Sequence, residues 1–176
     1  MAKIQSMVQF ACKLFKSPRD ILVEINKQIY DRIDKKSFIT MILLLIDFDE
    51  NKIKIARAGH NPMIYIDKNS EVKILKNKGI GLGLDRNNIF VTNIEESEYN
   101  IEDMKFMFLY TDGLVESMNN DKQEFGLERV LEIIKRKYKS STDEIIKHFD
   151  NELIDFRNKA LQNDDITFLA VKFQYS

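Results

Sequence analysis

The sequence predicts one α+β domain in which helices are layered on antiparallel sheets. Two amphipathic helices come first, six or seven strands follow, and two further helices precede a last strand. Because strands and helices do not alternate regularly, a parallel strand–helix–strand sheet is disfavoured. The 176 residues are 44% hydrophobic and 31% charged, which is typical of a globular chain that buries its own core.

Composition argues against several classes of function. The formal net charge of −1 gives no general attraction to nucleic acid or to a membrane surface. Cys12 is the single cysteine, so an internal disulfide is impossible. This cysteine content is typical of a protein in a reducing compartment. The longest apolar run, residues 38–46, is far shorter than the ~20 residues that cross a bilayer. We therefore expect a soluble, cytoplasmic protein that binds neither nucleic acid nor membrane.

Two helices are predicted at the start of the chain. Apolar residues at steps of three and four over residues 2–16 indicate the first helix. Ser17, Pro18 and Asp20 then supply a capping hydroxyl, a proline at the first helical position and an acid in the first turn. A second helix is therefore expected to run to about residue 32, packed against the first helix or beside it on a common sheet.

The first strand is predicted over residues 38–48. Residues 41–46 are apolar at every position, so we expect a strand covered on both faces, either central in a sheet or inside a sandwich. The polar residues 49–52 turn the chain. Ile53 and Ile55 then alternate with other residues, which indicates an antiparallel return strand.

Three shorter patterns follow. Residues 63–66 and 72–75 predict a second hairpin, and residues 90–94 predict a moderate strand. The acidic residues 95–98 are interpreted as a solvated edge or loop, because like charges in sequence favour exposure to water.

The end of the chain predicts two helices and a strand. The first helix covers about residues 127–138, with Leu127 among its inward side chains. Ser141 begins a capping box for the second helix. The polar residues 163–165 are expected to end that helix. The last strand is expected over residues 166–173.

The stretch 106–116 is the region most suggestive of chemistry. Its apolar residues 106–110 indicate a buried strand that runs directly into Thr111, Asp112 and Gly113. A carboxylate at the end of a buried strand, beside a glycine-bearing turn, is held rigidly with its oxygens directed out of the core. Hard divalent cations require that placement. An isolated Asp-Gly pair is more often only a turn.

Asp164 and Asp165 repeat this pattern at the boundary of a helix and an apolar strand. Adjacent carboxylates repel each other unless a cation or hydrogen bonds hold them. If Asp112 and Asp164 lie at the same end of neighbouring strands, they can share a divalent ion. The alternative is a helix-terminating turn with solvated acids.

Other kinds of catalytic or binding site lack the residues they need. With His60 and His148 as the two histidines and Cys12 on a predicted helix, a zinc site of the Cys/His type is not supported. The glycine cluster at residues 79–83 imitates a dinucleotide-binding fingerprint without its strand–turn–helix context. Neither a Ser/His/Asp triad nor a phosphate-binding loop signature is present.

Several segments together resemble one protein family in their order and spacing. They are residues 38–40 (FIT), 58–62 (AGHNP), 81–83 (GLG), 110–116 (YTDGLVE), 125–126 (FG) and 164–167 (DDIT). This set is similar to the metal-dependent, PPM-type protein serine/threonine phosphatases, in the bacterial branch of the sporulation phosphatase SpoIIE and the stress-response phosphatases. The resemblance covers nearly the whole chain, so residues 1–176 are interpreted as one such domain.

The resemblance implies a β-sandwich flanked by helices, in α-β-β-α layers, with a centre of two Mn²⁺ or Mg²⁺ ions. It implies hydrolysis of phosphoserine or phosphothreonine on a regulatory protein, such as an anti-sigma-factor antagonist. A metal-activated water would attack the phosphorus, so no covalent enzyme intermediate and no catalytic residue beyond the metal ligands are needed.

The resemblance also assigns roles to individual residues. Asp112 matches the metal-ligand aspartate of the family's TDG motif. Asp164 matches the first aspartate of the family's D-D/N-x-T ending, with Asp165 beside it as a ligand or a supporting partner. The turn at residues 59–60 matches a structural turn near the site. The residues expected to be structural near the site are Thr40, Gly59, His60, Thr111 and Gly113.

The resemblance departs at the front of the chain. Family members carry upstream strands with a G-D-x-x-D-like segment and an Asp-Val-Ser-Gly-type turn, which supplies the aspartate that bridges both metals. No aspartate precedes Asp20. We therefore expect an N-terminally truncated domain that lacks its first strands and part of its metal site. Exposed strand edges, above all that of residues 38–46, would then favour a homodimer or another association.

Two alternatives stay open at this point. The chain can be a non-catalytic module that keeps the phosphatase fold and binds a regulatory partner. It can also be an unrelated domain that binds a divalent ion through Asp112 and Asp164. The sequence upstream of Met1 in the gene would separate the phosphatase from the binding module.

Overall fold

The computed structural model describes residues 2–86 and 88–173, and the chain divides into two compact units. The first unit contains the chain up to His60 together with Lys76–Ile101. The second unit contains Asn61–Leu75 together with the chain from Glu102 onward. Each unit combines an antiparallel sheet with helices, so the predicted α+β class is confirmed.

The described residues form helices and strands in an irregular order, as predicted. The helices are α1 (Ala2–Leu14), α2 (Pro18–Tyr30), α3 (Asn88–Asn93), α4 (Asp112–Val115), α5 (Gly126–Lys137) and α6 (Thr142–Arg157). The strands are β1 (Met41–Asp47), β2 (Lys52–Ala58), β3 (Ile64–Asp67), β4 (Val72–Ile74), β5 (Glu96–Asn100), β6 (Met104–Tyr110) and β7 (Phe168–Lys172).

The sheet of the first unit has the order β1-β2-β5, and both of its pairs are antiparallel. Met41 lies opposite Ala58, so the predicted hairpin of β1 and β2 is confirmed. Helix α2 packs on β1 and β2, and α1 packs on α2. Helix α2 also begins as predicted, because the Ser17 hydroxyl accepts a hydrogen bond from the Asp20 amide at 3.2 Å. The buried residues of this core are Met7, Ala11, Ile21, Leu22, Ile25, Ile29, Ala56, Ala58, Leu82, Phe90 and Ile94.

Strand β1 differs from the prediction of a strand covered on both faces. It lies at the edge of its sheet, and each of its seven residues is partly exposed. Among the described strands, β2 is the one that pairs with it. A continuous apolar run shows that both faces of a strand carry apolar side chains. It does not determine whether the strand pairs with one neighbouring strand or with two.

Residues 90–94 lie mostly in helix α3, so the predicted strand is wrong. Phe90 and Ile94 are both buried and stand four residues apart, which places them on one face of a helical turn. The Asp85 carboxylate accepts hydrogen bonds from the amides of Ile89 and Phe90, at 3.0 and 3.1 Å. These two amides have no intrahelical acceptor, so Asp85 stabilises the start of the helix.

The acidic residues 95–98 lie mainly in the edge strand β5, which agrees with the predicted solvated edge. Glu98 pairs with Lys52 at 2.9 Å and with Lys54 at 3.6 Å, both from the neighbouring strand β2. Opposite charges across two paired strands therefore help to stabilise this edge.

The sheet of the second unit has the order β4-β3-β6-β7, also antiparallel. Its predicted hairpin of β3 and β4 is confirmed. The Phe108 ring of the inner strand β6 stacks on Phe149 of α6, with 4.8 Å between ring centroids. The buried residues of this core are Ile64, Ile66, Phe106, Phe108, Tyr110, Leu114, Phe125, Val130, Ile133, Ile134, Ile145, Phe149 and Leu153.

Helices α5 and α6 are confirmed, but two details at their ends are not. Leu127 is exposed rather than inward, because it lies in the first turn of α5, ahead of the buried residues of that helix. The Ser141–Glu144 capping box of α6 is present. The helix ends at Arg157, earlier than predicted, because Asn158 adopts a left-handed conformation with φ of 43°.

None of the helices in the described part of the chain is long and apolar enough to cross a membrane.

Candidate metal centre

Strand β6 carries the chain to Asp112, the first residue of the short helix α4. The strand is mostly buried, so its end is fixed by the core of the second unit. The Asp-Gly pair is therefore the start of a helix and not an isolated turn. Asp112 is exposed, and its Oδ1 accepts a hydrogen bond from the Gly113 amide at 3.1 Å.

The loop before β7 meets the end of β6 through Thr111. The Thr111 amide donates to the carbonyl oxygen of Thr167 at 2.9 Å, and the Thr167 amide donates to the Thr111 hydroxyl at 3.0 Å. The Thr111 hydroxyl also lies 3.3 Å from the carbonyl oxygen of Asp165. Because β6 and β7 are antiparallel neighbours, Asp112 and Asp164 lie at the same end of adjacent strands, as the sequence predicts.

Gly113 brings the two loops into direct backbone contact. A Cβ atom at this position would overlap the carbonyl oxygen of Asp165 and approach the carbonyl carbon of Asp164 to 3.6 Å. The absence of a side chain at Gly113 therefore allows the loop that carries both aspartates to pack against α4. Gly113 is thus a packing position at the junction of α4 and this loop, and its role at a metal site stays a prediction.

The loop of Asp164 and Asp165 is held by its own hydrogen bonds. Asp164 Oδ1 accepts from the Asp165 amide at 2.7 Å, and the carbonyl oxygen of Asp164 accepts from the Gln162 side-chain amide at 2.8 Å. Arg157 in turn donates to the Gln162 side chain at 3.2 Å and to the carbonyl oxygen of Ala160 at 3.1 Å. The loop is thus tied to the end of α6.

The donor chemistry of Asp112, Asp164 and Asp165 suits a hard divalent ion, since all three offer carboxylate oxygens. All three side chains are exposed, so a cation would meet little desolvation cost. Within the described residues, however, no group of three or more Asp, Glu, His or Cys side chains is close enough together to hold one ion. These residues therefore offer the oxygen ligands that a divalent metal ion prefers, but they offer fewer ligands than such an ion needs.

A cavity of about 120 Å³ lies next to these residues, with Gly113 and Asp164 in its wall. Glu116, Ser117 and Glu124 also line it. Sequence reasoning did not assign a role to these three residues. Glu116 ends the motif that begins at residue 110, which is the one signal that pointed to this region.

The remaining predicted site residues belong to the first unit. The Thr40 hydroxyl lies 3.3 Å from Nδ1 of His60. Gly59 has φ of +67°, and a Cβ there would lie 2.7 Å from the amide nitrogen of Gly81. The guanidinium of Arg57 donates to the carbonyl oxygen of His60. These contacts fix a backbone turn at Gly59 and His60, while the place of that turn beside a metal site stays a prediction.

Solved structures identify the class of fold. The SiaA PP2C domain of Pseudomonas aeruginosa matches with a TM-score of 0.82 over 97% of this chain and 68% of that one, at 19% identity. The phosphatase domain of SpoIIE from Bacillus subtilis, in a manganese-presoaked structure, matches with a TM-score of 0.63 over 100% and 76%, at 16% identity. The chain therefore has the fold of PP2C-type phosphatase domains, with antiparallel sheets flanked by helices.

The chain belongs to the SpoIIE family, because the family model described as stage II sporulation protein E matches residues 1–174. The phosphoserine phosphatase RsbU of Bacillus subtilis strain 168 is 26% identical over 159 residues, which are 88% of this chain and 45% of RsbU. The chain thus spans less than half the length of this curated relative. The resemblance to PPM-type serine/threonine phosphatases is confirmed at the level of the family.

Proposed function

We propose that this chain forms a metal-dependent protein phosphatase domain that removes phosphate from phosphoserine or phosphothreonine on a regulatory protein. An anti-sigma-factor antagonist is one such substrate. The observation that carries the proposal is the joining of Asp112 to the Asp164–Asp165 loop at the end of β6 and β7, through Thr111 and Gly113. Membership of the SpoIIE family and similarity to a phosphoserine phosphatase support it.

In this proposal Asp112 and Asp164 hold Mn²⁺ or Mg²⁺, and Asp165 is a further ligand or a supporting partner. When bound, the metal supplies positive charge to phosphate oxygens and lowers the pKa of water. The Asp165 amide fixes one oxygen of Asp164, and the Gly113 amide fixes one oxygen of Asp112. Each carboxylate is thereby oriented before a cation arrives, which reduces the entropy lost on binding.

We expect the affinity for metal to be low. Hard cations take about six oxygen ligands, and the described residues bring fewer than three acidic side chains to one point. Water must therefore fill most positions around an ion held by this chain. Calorimetry with manganese would test this expectation, and tight binding at two sites would contradict it.

The proposed activity is tested with a phosphoserine peptide in the presence of manganese. At manganese concentrations high enough to fill a weak site, we expect phosphate release by the wild-type chain and its loss in Asp112→Asn, because the amide removes a negative ligand and keeps the shape of the side chain. Asp155→Asn is the matched control, since Asp155 is an exposed aspartate of α6. Release that persists in Asp112→Asn, or that fails equally in Asp155→Asn, would refute the assignment.

A second candidate is a non-catalytic module that keeps the fold and binds a regulatory partner. The lack of a three-residue acidic or histidine group in the described part of the chain favours it. In that case the wild-type chain would bind a phosphorylated protein without releasing phosphate at any manganese concentration. Mass spectrometry of the recovered partner distinguishes the two candidates, because only the phosphatase removes the phosphate mass.

A further inference from the structure

The carboxylate of Asp164 is oriented by the peptide group that joins Asp164 to Asp165. The N–H of that peptide group donates to Asp164 Oδ1 at 2.7 Å. The C=O of the same peptide group accepts from the Gln162 side-chain amide at 2.8 Å. A trans peptide group is planar, and its C=O and N–H point in opposite directions. The bond from Gln162 therefore also sets the direction from which the N–H meets the carboxylate.

The Gln162 side chain is held at its other end by Arg157. Nη1 of Arg157 donates to Oε1 of Gln162 at 3.2 Å, and Nη2 donates to the carbonyl oxygen of Ala160 at 3.1 Å. A side-chain amide carries an acceptor and a donor on one planar group. Gln162 can therefore accept from the arginine and donate to Asp164 at the same time, so the two bonds fix the plane of its amide.

The main chain around Arg157 is fixed independently of the loop. Arg157 is the last residue of α6, and its carbonyl oxygen accepts from the Ala160 amide at 2.8 Å. The next residue, Asn158, ends the helix in a left-handed conformation, and its carbonyl oxygen accepts from the Asn120 side chain at 2.6 Å. The guanidinium therefore extends from a well-held helix end toward the loop.

One feature of Arg157 disfavours stability. Its Nε atom is buried and has no hydrogen-bond partner in the part of the chain that the structure describes. A buried donor without a partner costs free energy. Lysine would keep the positive charge and place a methylene group there, but all its donors lie on a single nitrogen. What arginine adds is the planar fork that reaches Gln162 and Ala160 together.

We propose that Arg157 is a positioning residue for metal binding, which acts through Gln162 and the Asp164–Asp165 peptide group on the carboxylate of Asp164. The inference rests on the proposed function, because it takes Asp164 as a metal ligand. Charge alone predicts the opposite effect, since a guanidinium near a cation site repels the cation. The direction in which metal affinity changes when Arg157 is replaced therefore separates positioning from charge.

The test measures manganese affinity of the full chain from the electron paramagnetic resonance signal of free Mn²⁺. Arg157→Met should raise the Kd about tenfold, at the low end of the effects typical of groups that orient metal ligands, because Gln162 is exposed. Loss of a nearby positive charge alone would lower the Kd. Gln162→Met should raise the Kd by a similar factor without a change of charge. The double variant should bind no more weakly than either single variant, because both substitutions break the same chain of hydrogen bonds.

Two further variants separate positioning from a general loss of stability. Arg157→Lys should weaken manganese binding while its midpoint in urea stays at or above that of the wild type, since the unpaired Nε is removed. Arg136→Met is the matched control, because Arg136 is an exposed arginine of α5 that contacts Glu152 instead of the loop. It should keep the wild-type Kd. An unchanged or lower Kd in Arg157→Met, or additive losses in the double variant with Gln162→Met, would overturn the inference.

Nuclear magnetic resonance of the metal-free chain keeps this test separate from the proposed function. The Asp165 amide proton, which donates to a carboxylate, should lie at low field in the wild type and move upfield in Arg157→Met and Gln162→Met. The Thr167 amide, which donates to the Thr111 hydroxyl, should not move and is the internal control. If the chain binds no manganese, this shift supports the positioning although the proposed function has failed. If the chain binds manganese but neither the shift nor the Kd changes in Arg157→Met, the proposed function stands and the positioning is refuted.

Discussion

Strands β1 and β6 share one sequence signal and differ in their surroundings. Each is a run of seven residues in which apolar side chains predominate. Strand β6 is an inner strand with buried positions on both faces, whereas β1 is an edge strand whose residues are all partly exposed. An apolar run therefore identifies a strand, but the number of its neighbours depends on pairing that is distant in sequence.

The largest expected difference between the two strands is in stability. Phe108→Ala in β6 should lower the free energy of unfolding by about 3–5 kcal/mol, because it removes a buried ring that contacts Phe149 and Phe168. Leu44→Ala in β1 should cost about half as much, since Leu44 is partly exposed already. Urea denaturation of both variants checks the ordering, and equal losses would contradict it.

The elements with strong periodicity could be predicted from the sequence, and those that depend on remote contacts could not. Ser17 and Pro18 marked the start of α2 because capping acts within one turn. The five residues 90–94 fit a strand equally well as a helix, and the cap from Asp85 that favours the helix lies outside that window. The hydrophobic periodicity of residues 90–94 carries no information about a hydrogen bond from Asp85.

The candidate site was predictable in part for the same reason. Asp112 could be placed at the end of a strand because the apolar run ends there. The contact of Gly113 with Asp165 joins residues 52 positions apart, so no local pattern contains it. Glu124 and Ser117 line the cavity through a hairpin whose polar sequence is typical of any loop.

The contact at Gly113 gives the second prediction. Gly113→Ala should lower the free energy of unfolding by about 1–3 kcal/mol and weaken manganese binding, because the added methyl group displaces the Asp164–Asp165 loop. Gly126→Ala is the control: φ there is +80° and no atom lies within 4 Å of an added Cβ. It should cost about 1 kcal/mol from its left-handed conformation and leave metal binding unchanged. Identical metal affinity in Gly113→Ala would show that the contact does not position the aspartates.

The open edge of β1 gives the third prediction. Among the described strands only β2 pairs with β1, and an apolar strand with an unpaired edge favours pairing with another chain, so we expect this polypeptide to self-associate. Leu44→Lys should reduce the association, because charge on an edge strand opposes pairing. Leu169→Lys, on the apolar edge strand β7 of the other sheet, tests whether that edge associates instead. Light scattering measures all three chains, and a wild-type monomer would refute the expectation.

The smallest expected effect is in β5, the edge strand opposite β1 in the sheet of the first unit. Ion pairs with the neighbouring strand β2 help to stabilise β5. A hydrogen bond and the positive charge of Lys52, with a further contribution from Lys54, hold the pKa of Glu98 below its usual value. A carboxyl group whose pKa is lower in the folded state stabilises the fold above its unfolded pKa of about 4.3. That contribution is lost as the pH falls through the lower folded value. Because Glu98 is exposed to solvent, the contribution is small and falls further with salt.

Unfolding midpoints of wild type and Glu98→Gln should therefore differ slightly at pH 7 and low salt, and converge at strongly acidic pH and at high salt. A difference that stays constant with pH would show that Glu98 contributes through packing and not through its charge.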